Sequence, residues 1–434
     1  MLKQKILDTV PRGTFAIGSG MGIGAITGYI VVIAVNHSVG DRQYAGFGAF
    51  WSLIFVVGPG LFLPLEQEIS RAISHRAARE DGSANLLKLV LIMAATLALV
   101  VCLIAAAFTK IIVESVFHGS NYLQLGFILG IIGYGLLHCS RGVLSGNHKF
   151  GAYGTSLASE GIVRFTAVMI LSALGVDHVG PYGVVMGLSP IIAVIPFIPL
   201  IKSLITPGTH ASKKELGTAL SYLVSSSVLS QALAYSSLFI INVIEGDTGQ
   251  TARWFTNAFF IARIPVIGFM AVQAALLPKL STFHSLGEHS EFRHQFKKLF
   301  YFVLLISTIG IIFIAVAGEQ TGMILFGKEN FNISNIDFLI LAVGSCLFLT
   351  AQTLLQACIA LQHYKVVTVA YLFGVFTTII TTLIFLTTEI STVLWVSLSF
   401  SAGCIVAVCI LYVAYEKVIR NYTKEEMVSS TAAI

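Results

Sequence analysis

Long apolar stretches alternate with short polar ones along the whole chain, and the apolar stretches set the first expectation. A helix rises about 1.5 Å per residue and the hydrocarbon core of a bilayer is about 30 Å thick, so roughly 20 apolar residues make one crossing. By that measure twelve spans are predicted, at about 13–35, 44–64, 87–108, 121–139, 151–175, 180–201, 217–244, 253–278, 299–317, 337–358, 366–388 and 391–415. The longest polar loops, about 65–86 and 279–298, fall on one side of the membrane, and no loop is long enough to hold a soluble domain. The pattern predicts an all-α integral membrane protein.

Loop charge gives the orientation. With the N-terminus inside, 20 of the 26 basic residues fall in inside segments, whereas the outside loops carry Arg42, Lys110, Arg253 and Lys328. Basic residues are retained on the cytoplasmic side, so both termini are expected there, in a multi-pass protein of the cell membrane. The apolar run after Lys3, Lys5 and Arg12 is too long for a signal peptide and lacks a small-residue cleavage site. It is read as the first span.

Composition narrows the class further. A mean hydropathy of +0.86 over 434 residues, with 11% charged, excludes a soluble domain. The net charge of +5 follows the loops and is no sign of a nucleic-acid partner. Cys102, Cys139, Cys346, Cys358, Cys404 and Cys409 lie in or beside apolar segments without metal-ligand spacing. His284, His289 and His294 recur at spacings of five in an inside loop, which does not place them on one helix face, and are read as solvated. With no phosphate-binding lysine loop, zinc-protease motif or nucleophile elbow, the chain offers no catalytic residue, metal site or cofactor site.

The informative polar residues are those inside spans. Arg263 interrupts the eighth span, and Pro265 breaks the backbone ladder two residues later. A mid-membrane guanidinium costs on the order of 3 kcal/mol on insertion scales, and freed carbonyls need protein or water, so both features point to a polar interior. Thr256, Phe259, Phe260 and Arg263 share a face. Arginine's planar fork can hold two oxygens of a phosphate; the competing reading is a buried structural pair. In the fifth span Tyr153, Ser156, Glu160 and Arg164 form a stripe. Glu160, four residues before Arg164, is either its ion-pair partner or a coupling residue, and Arg164 is a second candidate for an anion. Span seven is rich in serine and carries Gln231, and span ten carries Ser345, Gln352 and Gln356 on one stripe. These suit a sugar or helix-to-helix hydrogen bonds equally. Glycines from Gly18 to Gly28 in span one are read as close packing or as a bendable gate.

Two features suggest duplication. Span two ends Leu63-Pro64-Leu65-Glu66 and span eight ends Leu277-Pro278-Lys279-Leu280, while Gly146-Asn147-His148-Lys149 after span four is matched by Gln362-His363-Tyr364-Lys365 after span ten. Six spans return the chain to its starting side, so the expected repeat is parallel: lobes at 1–205 and 216–418, a linker at 206–215 and a tail at 419–434.

Arg141-Gly142-Val143-Leu144-Ser145-Gly146-Asn147-His148-Lys149-Phe150, followed by the Glu160/Arg164 span, resembles the polysaccharide-transporter branch of the multidrug/oligosaccharidyl-lipid/polysaccharide exporter superfamily. Gln356-Ala357-Cys358-Ile359-Ala360-Leu361-Gln362-His363 looks like the counterpart in the second half, and Leu277-Pro278-Lys279-Leu280-Ser281 resembles that branch's end of span eight. The resemblance implies a flippase that moves a polyprenyl-pyrophosphate-linked oligosaccharide from the cytoplasmic to the outer leaflet for cell-surface polysaccharide synthesis. Lipid II flippases carry an arginine in span eight, which Arg263 resembles about one turn nearer to Pro278. Their two further spans are absent, and their span-one arginine is represented by Arg12. The expectation is therefore a monomeric, alternating-access carrier. Arg263, with Arg164 or Arg12, holds the pyrophosphate; Gln231, Gln352 and Gln356 face the glycan; a polysaccharide polymerase or ligase is a candidate partner. The alternative is a cation-coupled drug or metabolite antiporter of the same superfamily. A major-facilitator carrier lacks its second-loop motif here, and a glycosyltransferase would need a larger outer loop.

Overall fold

The computed structural model describes residues 13–77, 79–210, 220–245, 249–266, 280, 283–284 and 286–432. Arg12, residues 211–215 of the expected linker, the end of the eighth span and most of its Leu-Pro-Lys-Leu-Ser motif lie outside the described residues. Twelve helices stand at the predicted spans: α1 Thr14–Ser38, α2 Asp41–Ala77, α3 Ala84–Ala107, α4 Asn121–Gly146, α5 Phe150–Ala173 and α6 Val179–Leu204. They continue as α7 Leu220–Ile244, α8 Gln250–Ala262, α9 His289–Phe326, α10 Asn335–Ala360, α11 Tyr364–Phe385 and α12 Thr392–Ala432. Eleven of the described helices are long and apolar enough to cross a membrane; α8 is described as a helix only to Ala262.

Two predicted loops are in good part helix. α2 runs on to Ala77 because Leu65, Ile69, Ala72 and Ile73 recur at helical spacing and are buried. α9 begins at His289 because Phe292, Phe296, Leu299 and Val303 do the same. A hydropathy window averages such a stripe with the polar face opposite and reads it as loop. Pro59 and Pro64 sit within α2, and a 3-10 turn at Ile195–Phe197 interrupts α6.

The chain divides into two compact units, one of residues 1–231 with 242–253, the other of 232–241 with 254–434. In the first, α1 lies along α5, and α4 packs between α2 and α6. Close approach requires glycine at the α1–α5 crossing: a Cβ on Gly20 would stand 2.1 Å from the Gly154 carbonyl oxygen, and one on Gly154 would stand 2.2 Å from that of Ala16. Gly18 and Gly22, on other faces of α1, meet nothing within 4 Å. In the second unit α12 packs against α10 and α11, and α9 against α10. Leu99, Leu103, Ile309, Ile312, Leu383 and Ile384 are exposed, as a lipid-facing surface requires.

The duplication is visible in local structure. α4 and α10 start at residues 121 and 335 and end at 146 and 360, a constant offset of 214, and α5 and α11 start at 150 and 364. Ser120 and Ser334 cap the first pair, each accepting from the backbone three residues on. His148 and Gln362 both take a left-handed backbone, φ 56° and 62°, in loops with matching hydrogen bonds. The structure thus pairs His148 with Gln362 rather than with His363.

Candidate functional site

In the first unit α2, α4 and α5 bring their charged residues together. Glu160 lies half-buried between two guanidiniums: Arg164 Nη1 donates to its Oε1 at 3.0 Å, and Arg141 Nη2 stands 3.7 Å from its Oε2. The Tyr134 hydroxyl donates to the same Oε1 at 3.1 Å. Arg141 also donates to the Ser156 carbonyl at 2.9 Å, and Arg164 lies over the Trp51 ring at 5.6 Å. The predicted Glu160/Arg164 pair is present, joined by a second arginine that the spacing argument on α5 did not include.

A second carboxylate, Glu66, lies beside it. His138 Nδ1 is 2.6 Å from Glu66 Oε2, and the Tyr153 hydroxyl donates to Oε1 at 2.6 Å. Glu66 and His138 are each 4% exposed. Sequence reasoning misses both: Glu66 follows Pro64 just past the end of a predicted span, and His138 lies within a predicted apolar span. The available signal was simply an ionisable residue within helix-compatible sequence.

Arg253, expected in an outside loop, is 4% exposed. It donates to the carbonyls of Asn36 and Val39 at 2.6 and 2.5 Å and pairs with Asp41, tying the end of α1 to the start of α2. These bonds satisfy carbonyls that the C-terminus of α1 leaves without a helical partner.

In the second unit Arg263 follows the end of α8, its backbone N–H bonded to Phe260 O at 3.2 Å in a tight last turn ahead of Pro265. Its guanidinium carbon lies 5.0 Å from the ring centroids of Tyr235 and Phe259 and 5.1 Å from that of Phe348, and it donates to the Ala234 carbonyl. Stacking on several rings is a property of the planar guanidinium that lysine lacks. Gln352 is half-buried one turn from Phe348 on α10, and Gln356 is buried a turn further on. Gln231, half-buried on α7, belongs to the first unit. Ser226, Ser230 and Ser236 donate to carbonyls of their own helix, neither to a neighbouring helix nor outward. Arg164 belongs to the first unit and Arg263 to the second, each with its own surroundings.

The histidines read as solvated are partly packed. His289 opens α9 and stacks on Tyr422 with ring centroids 4.0 Å apart, and the His284 ring lies 5.7 Å from each. Burial pushes His284 below the usual histidine range, with His289 and His363 adding repulsion. In the first unit Asp81 accepts from the Thr209 hydroxyl and backbone at 2.6 and 2.9 Å; these bonds, with Arg76 nearby, hold its carboxyl below the usual range.

No protein-family model and no curated protein sequence matches the chain. Solved structures do. An inward-facing multidrug resistance MATE family transporter of the MOP superfamily superposes with a TM-score of 0.72 at 15% identity, covering 91% of this chain and 95% of that one. An outward-facing one gives 0.71 at 16%, covering 95% and 96%. A MOP superfamily transporter from Pyrococcus furiosus Vc1, described as having a binding pocket of reverse polarity, gives 0.69 at 15%, again covering 95% and 96%. At these identities the likeness establishes the fold, which is that of the MATE transporters.

Proposed function

We propose that the protein is a carrier that flips a polyprenyl-pyrophosphate-linked oligosaccharide from the cytoplasmic to the outer leaflet. The observation that carries the reading is the sign of the buried charge. In the second unit Arg263 is buried, and no acidic residue occurs in the sequence between Asp247 and Glu288 around it. A buried guanidinium with no acidic residue in its own stretch of chain suits an anion. Moving an anion outward from a negative interior releases about 2.3 kcal/mol per charge at 100 mV. Arg263 is the residue assigned to the pyrophosphate, with Arg164 and Arg12 as further anion contacts; Gln231, Gln352 and Gln356 are assigned to the glycan.

The carrier is taken as a monomer in the cytoplasmic membrane with both termini inside, supplying a polysaccharide polymerase or ligase. Multidrug export is the second reading, favoured by the MATE transporters that share the fold. The buried guanidinium of Arg263 weighs against a cationic drug. The two separate on one experiment. Deleting the gene should trap polyprenyl-linked saccharides in the cytoplasmic leaflet, whereas unaltered lipid-linked glycans with raised sensitivity to cationic drugs would establish the exporter.

A further inference from the structure

We infer that the second unit binds a phosphate group at the end where α9 begins, through Arg293, His284 and His289 beside the extension of α12. The site does not rest on the carrier reading above, which uses Arg263.

The pairing of α9 with α12 places these side chains. His289 stacks on Tyr422, and Phe296 lies against Tyr415 with ring centroids 4.5 Å apart. Seven residues forward on α9 match seven backward on α12, so the two helices run antiparallel there and Arg293, one turn after His289, falls between the two ring pairs. It stands near enough to Tyr415 to act on that side chain electrostatically. His284 joins from the preceding loop, its ring 5.7 Å from those of His289 and Tyr422.

These groups are short of partners. His284 Nδ1, His289 Nδ1, Arg293 Nε and the Tyr415 hydroxyl are each buried with no hydrogen-bond partner among the described residues. An orphaned buried polar atom costs about 1–3 kcal/mol, so four in one joint are not explained by packing alone. The carboxylates nearest along the chain are turned elsewhere: Glu291 accepts from Gln295 at 2.6 Å, Glu416 faces Arg420 at 3.6 Å, and Glu288 is exposed. His363, from the loop between α10 and α11, adds repulsion at His284. An arginine and three histidines thus gather with no described carboxylate bonded to any of them.

The donors select the ligand. Arginine does not ligate metals, and no group of three His, Cys, Asp or Glu among the described residues could hold one. A guanidinium fork and imidazole N–H groups all donate, and a tetrahedral phosphate has oxygens enough for each, whereas a carboxylate offers two. Arg293, His284 and His289 are half-buried, so each keeps an edge open to such a group. Bound there, phosphate ties the loop, α9 and α12 to one another.

Histidine-selective 15N NMR of the full chain in a phosphate-free maltoside detergent tests the site. Inorganic phosphate should move the His284 and His289 signals to saturation, and sodium acetate at equal ionic strength should not. R293Q should weaken the response at least about tenfold, while K110Q, at an exposed lysine of the first unit, should keep it. Where R293Q does not fold, R293K replaces it; it keeps the charge, loses the fork and should also bind less tightly. Nanodiscs of phosphatidylglycerol without free phosphate separate the sources. Signals moved there but not by inorganic phosphate assign the site to a lipid headgroup, and saturation by inorganic phosphate assigns it to a soluble ligand. An equal response to acetate, a response undiminished in the arginine variant, or signals that move with zinc but with neither source of phosphate overturns the site. No outcome here bears on the leaflet experiment.

Discussion

Glu160 offers the sharpest test of the physical account, because its removal leaves two buried cations behind. At an effective dielectric of about 20, the 3.0 Å contact with Arg164 is worth about 5.5 kcal/mol of attraction and the 3.7 Å contact with Arg141 about 4.5 kcal/mol. Desolvation of the three groups, several kcal/mol each, offsets most of this, so the network contributes little net stability over an apolar substitute. Breaking it is different. E160Q leaves guanidiniums whose side chains are 5% and 6% exposed without their counter-charge, at a cost of about 3–5 kcal/mol, or roughly 200- to 4,000-fold in the folding equilibrium. Equilibrium unfolding of purified protein in mixed micelles measures it. The double variant E160Q/R164Q should recover part of the loss, since one of the stranded charges is gone. An E160Q protein within about 1 kcal/mol of wild type, or a double variant that loses the sum of the two singles, would refute the network as described.

Other expectations follow from particular contacts. R263K keeps the charge but gives up stacking on Tyr235, Phe259 and Phe348, each contact worth about 0.5–2 kcal/mol, so flipping in a leaflet assay should fall at least about tenfold while the protein still folds. G154V drives a side chain into the Ala16 carbonyl and should destabilise by about 1–3 kcal/mol, whereas G22V, with nothing within 4 Å, should stay within about 0.5 kcal/mol in the same unfolding measurement. His284 has its pKa lowered by burial, so the unfolded state binds more protons than the folded one just below the usual histidine range. The His284–His289–Tyr422 joint should then be secure at neutral pH and loosen on acidification from about 6.5 downward, read as faster proteolysis of the C-terminal helix; H284F should flatten that profile.

Much of this fold is legible in the sequence because each span has to satisfy its own backbone, which leaves a long apolar run as the record of each helix. The helical ends beyond the membrane were not legible as spans. Leu65, Ile69, Ala72 and Ile73, or Phe292 and Phe296, encode burial by period rather than by average hydropathy. Glu160 and Arg164 announced one another by standing four apart on one helix. Glu66, His138 and Tyr153 could not, since their meeting depends on how α2, α4 and α5 cross, and the chain over the 72-position separation of Glu66 and His138 holds no local trace of it. Arg253 was misjudged for the same reason: a basic residue in a loop is ordinarily solvated, and only the fold brings it onto the carbonyls of Asn36 and Val39.

The central claim is that a buried arginine in this fold serves an anionic lipid-linked cargo. It is tested most directly by assigning leaflets to polyprenyl-linked saccharides in a strain deleted for the gene and complemented with wild type or R263A. The account predicts cytoplasmic trapping that wild type relieves and R263A, expressed and folded at equal level, does not. Lipid-linked saccharides that reach the outer leaflet as well with R263A as with wild type would contradict it.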